Sequence, residues 1–320
     1  MKIGYFLACE EFGPQELLRQ ARLAEESGFD ALWISDHFHP WMAEQGQSPF
    51  VWSVLGALST TTHLPVATAV TCPTTRIHPG IIAQAASTSS LMLGGRFVLG
   101  VGSGEALNEQ VFGDPWPAAG IRLEMLEEAV HVIRLLQEGG YKTYRGTHYT
   151  LEKGRIWTLP EQPTPIYVSG FGPRSIRLAA RIGDGYVCNA PNAEFVRMFR
   201  ENGGGDKPVQ GGVKACWAET EEAGVETAHR VWANEQLPGE LGQVLSNPRH
   251  IEQAVTQVPK EKTRESFACG PDPQRHIDVL QEYADAGFDE VYVQQIGPQQ
   301  EPFFDFYAKE VMPALRHRTG

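Results

Sequence analysis

Four short segments carry side chains able to move protons or grip a polar ligand. The first is Ser35-Asp36-His37-Phe38-His39-Pro40-Trp41, which brings a carboxylate, two imidazoles and an indole together. Histidine transfers protons near neutral pH, and a neighbouring carboxylate tunes it. The second, Ala67-Thr68-Ala69-Val70-Thr71-Cys72-Pro73, is built of small residues that leave room for a flat ring system. The third runs Gly100-Val101-Gly102-Ser103-Gly104-Glu105-Ala106-Leu107-Asn108-Glu109. Its glycines allow close backbone approach, and their amides can donate. Glu105 and Glu109, four apart, share a face if the turn is helical, and a desolvated carboxyl there becomes a proton donor. Its G-x-G lacks the spacing of a dinucleotide fingerprint. The fourth, Ser169-Gly170-Phe171-Gly172-Pro173, puts glycines before a proline-started helix, an arrangement whose amides bind anions. Each has a purely structural reading too: a capped strand end, a turn before Pro73, or a glycine loop without a ligand.

The elements that must position them are read from periodicity. Short apolar runs occur at Ile3–Leu7, Ala31–Ser35, Val66–Val70, Phe97–Val101, Ile166–Ser169, Gly185–Cys188, Gly212–Trp217 and Glu290–Gln295. Helical patterns between most of them include Pro14–Ser27, Pro79–Leu93, Ile121–Glu138, Pro173–Arg181, Asn192–Arg200 and Pro273–Ala286, with a last one over Pro302–Leu315. Strands separated by helices imply parallel pairing through right-handed crossovers, and eight such units predict a closed (β/α)8 TIM barrel of α/β class. In that fold ligands gather at the C-terminal ends of the strands, where all four segments fall. One barrel domain over 1–320 is expected, with a hairpin insertion at about 141–157 and a long proline-bearing insertion at about 236–265.

The 320 residues include 42% hydrophobic and 21% charged side chains, the profile of a folded globular chain. A net charge of −12 without a long basic run argues against a nucleic-acid or anionic-membrane surface. Five widely spaced cysteines form no zinc pattern and read as packing thiols in a reducing, cytoplasmic setting. No metal is expected, no stretch is apolar enough to span a bilayer, and the N-terminus has no signal-peptide form.

The motifs around Asp36 and Gly102, with Pro79-Gly80-Ile81-Ile82-Ala83-Gln84-Ala85 and Ile182-Gly183-Asp184-Gly185-Tyr186, resemble the luciferase-like flavin and deazaflavin oxidoreductases. The likeness is greatest to the branch that includes F420-dependent glucose-6-phosphate dehydrogenase, and it extends over nearly the whole chain. The resemblance implies a luciferase-like barrel, coenzyme F420, hydride transfer between F420 and a small alcohol or carbonyl, and a homodimer. It assigns His37, Trp41 and Glu105 to catalysis, with the order of the His and Glu proton roles left open. Asp36 would contact the deazaflavin ring or its tail, and a non-proline cis peptide at Ala69–Val70 would back the ring. Gly102, Ser103, Gly104 and Asn108 would hold the ring or ribityl chain, and Ser169, Gly170, Phe171 and Gly172 the phosphate.

The substrate side would include Asn189, Asn192, Gln253 and Arg264. Two lysines that bind phosphate in the sugar-phosphate branch align with Asn192 and Gln253, whereas its phosphate-binding arginine aligns with Arg264. Each lost charge-assisted contact is worth ~1.5–3 kcal/mol. A sugar 6-phosphate and an unphosphorylated alcohol, aldehyde or enone are therefore both open. The rivals are an FMN-dependent monooxygenase on the same barrel, a non-catalytic deazaflavin-binding protein, and a metal-dependent barrel enzyme.

Overall fold

The computed structural model describes residues 1–318. Eight parallel strands form the barrel: Lys2–Leu7, Leu32–Ile34, Val66–Thr68, Phe97–Val101, Ile166–Ser169, Gly185–Cys188, Val209–Cys216 and Glu290–Gln295. Each pairs with the next, and the eighth pairs with the first, which closes the ring. The eight expected strands are all present. The seventh starts three residues earlier than its apolar pattern suggests, because Val209, Gln210 and Gly211 pair with the sixth. A short strand absent from the sequence reading, Ala268–Cys269, extends the pairing of the seventh.

Alternation decides what each strand presents. Leu7, Leu32, Ile34, Val66, Leu99, Ile166, Val168 and Val291 point outward and form one core with the surrounding helices. Phe6, Trp33, Ala67, Val187 and Tyr292 form a separate cluster inside the barrel. There Trp33 stacks on Tyr292 with ring centroids 4.4 Å apart and planes within 6°. The stack requires glycine opposite it: a Cβ on Gly4 would lie 2.3 Å from the Tyr292 ring, and one on Gly212 would lie 2.6 Å from Trp33. This layer fills the lower lumen, so open space remains only toward the C-terminal ends of the strands.

The helices follow the expected order, with two further ones, Val51–Leu58 and Glu221–Trp232. The first is eight residues of nearly continuous apolar character, which carries little helical periodicity. The second is started by Thr220, whose Oγ1 accepts from the Ala223 amide. The segment 141–157 carries an antiparallel hairpin, Lys142–Arg145 with Thr150–Gly154. The segment 236–265 carries three short helices, Leu241–Val244, Pro248–Val255 and Lys260–Ser266. All five cysteines are buried and free. No helix among the described residues is long and apolar enough to cross a membrane.

Candidate active site

At the C-terminal mouth of the barrel lies a cavity of about 560 Å³, a size that suits a cofactor-scale ligand. Asp36, His37, Trp41, Ala69, Val70, Gly102, Ser103, Gly104, Glu105, Ser169, Gly170, Phe171, Gly172 and Asn189 all line it. Strand-end residues from five strands thus converge as their positions in a barrel require. The Ala69–Val70 peptide bond is cis.

His37 is the best-defined group. Asn108 fixes it: its Oδ1 accepts from the amides of Phe38 (2.8 Å) and His39 (3.1 Å). The Asn108 side-chain nitrogen therefore donates, and it lies 3.0 Å from His37 Nδ1. The same nitrogen lies 3.2 Å from the His39 carbonyl, so Nδ1 faces one donor and one acceptor and is held in place in either tautomer. His37 Nε2 lies 3.3 Å from Oε1 of Glu10. Glu10 is 3% exposed and accepts from the Ser35 hydroxyl at 2.5 Å through its other oxygen. Trp41 stands beside the imidazole, with centroids 5.2 Å apart. Glu105 lies just before the short helix Ala106–Glu109, half-buried, and no side-chain hydrogen bond engages its carboxyl.

Beneath the mouth is a second charged group. Arg76 donates from Nη2 to Asp36 at 2.9 Å, and the Thr71 hydroxyl donates to the other Asp36 oxygen at 2.9 Å. The Arg76 amide donates to Glu109 at 2.9 Å, but Arg76 Nε and Glu109 Oε1 stand 3.7 Å apart, and neither has a hydrogen-bond partner. Two buried carboxylates thus share one guanidinium. Burial pushes Glu109 up to about 7, against the pull of Arg76. The glycines are matched to this floor. A Cβ on Gly102 would lie 2.7 Å from Val70 Cγ2. Gly104 has φ +75°, and a Cβ there would lie 2.6 Å from Cys72 Sγ.

The inner end adds residues that the sequence reading missed. Lys214, inward on the seventh strand, lies 2.9 Å from Glu235 and sits over the Trp232 ring at 4.3 Å. Glu10 carried a legible signal, since it lies three residues past the end of the first strand as Asp36 lies two past the second. Lys214 could have been found from strand alternation. Arg76 had no local signature.

Four expected residues are placed differently. Asn108 is 2% exposed and lies behind the cavity wall, its amide spent on the loop and on His37. It holds the loop and the imidazole, and it is not among the residues that line the cavity. Asn192 caps the helix Ala193–Phe199, its Oδ1 accepting from Glu194 and Phe195 amides, and is outside the cavity. Gln253 is exposed on the helix Pro248–Val255, away from the cavity. Arg264 is exposed and pairs with Glu221 at 2.6 Å and Glu222 at 2.5 Å on the outer surface. Two carboxylates already satisfy its guanidinium, and it does not reach the substrate side.

The donor set fits a deazaflavin. Ala69 and Val70 offer an apolar wall of small residues, Gly102 and Gly104 leave backbone exposed, and a Cβ on Gly172 would meet nothing within 4 Å. Before the ten-residue helix Pro173–Ile182, the Gly170 amide donates to the Val187 carbonyl and the Gly172 amide to Ser175 Oγ, which leaves the Phe171 amide and the helix start to favour a phosphate. Among the described residues no cluster of three or more His, Cys, Asp or Glu could hold a metal ion.

The luciferase-like monooxygenase family profile matches residues 1–290. The chain is 36% identical to an F420-dependent glucose-6-phosphate dehydrogenase of Microbacterium testaceum (strain StLB037), covering 99% of this chain and 98% of that one. It is 33% identical to the enzyme of the same name from Amycolatopsis mediterranei (strain U-32), over 99% of both. Among solved structures it superposes on an F420-dependent secondary alcohol dehydrogenase in complex with an F420-acetone adduct. That match has a TM-score of 0.91 at 30% identity, over 98% of this chain and 99% of that one.

Proposed function

Given that the chain belongs to the luciferase-like monooxygenase family, we propose that its mouth cavity oxidises a small unphosphorylated alcohol, or reduces the matching carbonyl. The protein is an F420-dependent oxidoreductase. When bound, F420 supplies the ring carbon that accepts or donates hydride.

The chain's own residues do the rest. His37 takes the hydroxyl proton at Nε2 as the substrate carbon gives up hydride, with its Nδ1 proton on the His39 carbonyl, and the Glu10 carboxylate stabilises the imidazolium so formed. Asn108 and the His39 carbonyl, both at Nδ1, keep the ring in line. Trp41 walls the reacting centre and excludes water. Glu105, whose carboxyl is otherwise unengaged, exchanges a proton on the cofactor side. Ala69, Val70, Gly102, Ser103 and Gly104 would hold the ring and ribityl chain, with Asp36 in the wall beside them. Ser169 and the Phe171 amide would hold the phosphate, with Gly170 and Gly172 leaving room for its approach.

The observation that carries this reading is the 3.3 Å contact between His37 Nε2 and Glu10, with the ring held at Nδ1 by Asn108 and the His39 carbonyl, on the wall of a cavity large enough for substrate and cofactor. The substrate class follows from charge. Lys214 is the cation at the inner end, and Glu235 already neutralises it. Asn189 faces the cavity without charge, and Asn192, Gln253 and Arg264 lie outside it. At that inner end a phosphate dianion would find no unpaired cation among the described residues; Arg122 and Arg174 line the outer end.

Titration with F420 and with FMN, followed by ring fluorescence, tests the cofactor, and F420 reduction on a panel of secondary alcohols and sugar 6-phosphates tests the substrate. Preference for FMN would overturn the first, and turnover of glucose 6-phosphate far above the alcohols would overturn the second. The resemblance also supports a homodimer, for which light scattering on the eluting protein is the check. The five buried thiols suit a reducing, cytoplasmic setting.

A further inference from the structure

The outer end of the cavity carries two arginines that form no ion pair among the described residues. Two long helices meet there, Ala119–Gln137 and Pro173–Ile182. Farther along, each contributes an arginine that pairs conventionally: Arg134 with Asp184 at 3.0 Å, and Arg181 with Glu127 at 2.7 Å. At the cavity, the same helices carry Arg122 and Arg174, and neither has a carboxylate within ion-pair distance. In a chain with 39 acidic against 27 basic side chains, an arginine pair left without acids needs a reason.

Arg122 is only 6% exposed. It lies over the Trp116 ring at 4.3 Å, and its Nη1 donates to the Pro117 carbonyl at 2.7 Å. Its Nη2 makes a long contact, 3.4 Å, with Gln243 of the segment that follows the seventh strand's helix. Its Nε has no partner. Burial pulls its pKa down, against the weaker upward pull of Cys72, Glu240 and Glu105, none of which forms an ion pair with it. Arg174 is exposed at the start of its helix and packs over Gly120, where a Cβ would lie 3.3 Å from its Nη2. Glu240 is the acid lining this end, and it pairs with neither arginine.

We propose that Arg122 and Arg174 form an anion-binding station that holds the acidic side chain of the deazaflavin as it leaves the barrel, beyond the Gly170–Gly172 loop. This rests on F420 being the cofactor. Phosphodiester and carboxylate oxygens present the same chemistry to a guanidinium fork. Gln243, already touching Arg122, would bring the 236–247 segment down on the same group.

The test compares three ligands by fluorescence titration: the deazaflavin riboside, which has no anion, the phospholactyl form without glutamates, and the full coenzyme with its glutamate chain. Arg174→Gln, on the surface, and Arg122→Gln are each expected to raise Kd for the full coenzyme by roughly tenfold or more. Both should leave Kd for the riboside within about twofold. A loss already seen with the phospholactyl form assigns the arginines to the phosphate, and a loss confined to the full coenzyme assigns them to the glutamates. Equal weakening of all three ligands, or unchanged binding of the full coenzyme, overturns the proposal. Riboside binding by the unaltered protein separates the two claims: if it binds and the arginine variants lose nothing, only the station falls. If neither riboside nor coenzyme binds, the cofactor assignment falls and the station with it.

Discussion

His37 Nε2 faces Glu10 Oε1 at 3.3 Å, across 27 residues of sequence, an ion pair once the ring is protonated. Neither group has another acid or base within that pairing, so each depends on the other for proton transfer.

Replacing Glu10 with Gln keeps a hydrogen-bond acceptor for His37 and removes the carboxylate. We expect kcat for alcohol oxidation to fall on the order of 10²–10⁴-fold, the usual worth of a positioned base. The Kd for F420 should stay within about threefold. A kcat within threefold of the unaltered enzyme would show that the pair is structural.

Asn108→Asp separates orientation from folding. The carboxylate still accepts from the Phe38 and His39 amides, so the loop and the melting temperature should hold. It cannot donate to His37 Nδ1. The ring loses its donor at Nδ1, and with it the orientation that sets Nε2 against Glu10 Oε1. We expect kcat to fall about tenfold or more, with the Kd for F420 unchanged within about threefold. An unchanged kcat would rule out the positioning role.

Gly104→Ala should cost both stability and cofactor. The residue sits at φ +75°, and the new methyl would meet Cys72 Sγ at 2.6 Å and Glu109 Cγ at 2.9 Å. Strain of this kind costs about 1–3 kcal/mol. Denaturant melts and F420 titration on the same sample should both worsen; normal coenzyme affinity would mean that the wall has yielded elsewhere.

His276 gives a pH signature far from the site. It is fully buried between the Tyr307 hydroxyl and the Gly270 carbonyl, and burial lowers its pKa to about 4. The unfolded chain takes up a proton near 6.5, where the folded ring does not. Its contribution is therefore intact above pH 6.5 and is lost as pH falls toward 4, by roughly 3 kcal/mol. Glu109 works in the opposite sense: raised to about 7, it removes stability as pH rises from about 4.5 through 7. Urea denaturation at pH 7.5 and 4.5, on the unaltered protein and on His276→Gln, isolates the histidine. Equal pH losses in the two would contradict the assignment.

Arg264→Gln should leave kcat and KM within about twofold for every substrate, because its guanidinium is engaged by Glu221 and Glu222 on the outer surface. A selective rise in KM for a sugar phosphate would return that residue to the site.

The barrel and most cavity-lining residues are legible in the sequence because each depends on local pattern. A strand fixes where its own end lies, so His37, Val70, Glu105 and Gly170 converge once eight strands close. Pairings made by the closure itself are not local. Nothing near Glu10 announces His37, and nothing near Arg76 announces that it must serve both Asp36 and Glu109. The excursion over 236–265 was least legible. Its short helices carry weak periodicity, and without register Gln253 and Arg264 could be aligned to a site they do not reach.

The stacked Trp33 and Tyr292 rings make the barrel blind-ended. Coenzyme, substrate and product must all cross the same rim, and whatever lies deeper is trapped until its neighbour leaves. A bottom-sealed vessel of this kind imposes queueing: steady-state turnover should follow a compulsory order, with the last ligand to enter being the first released.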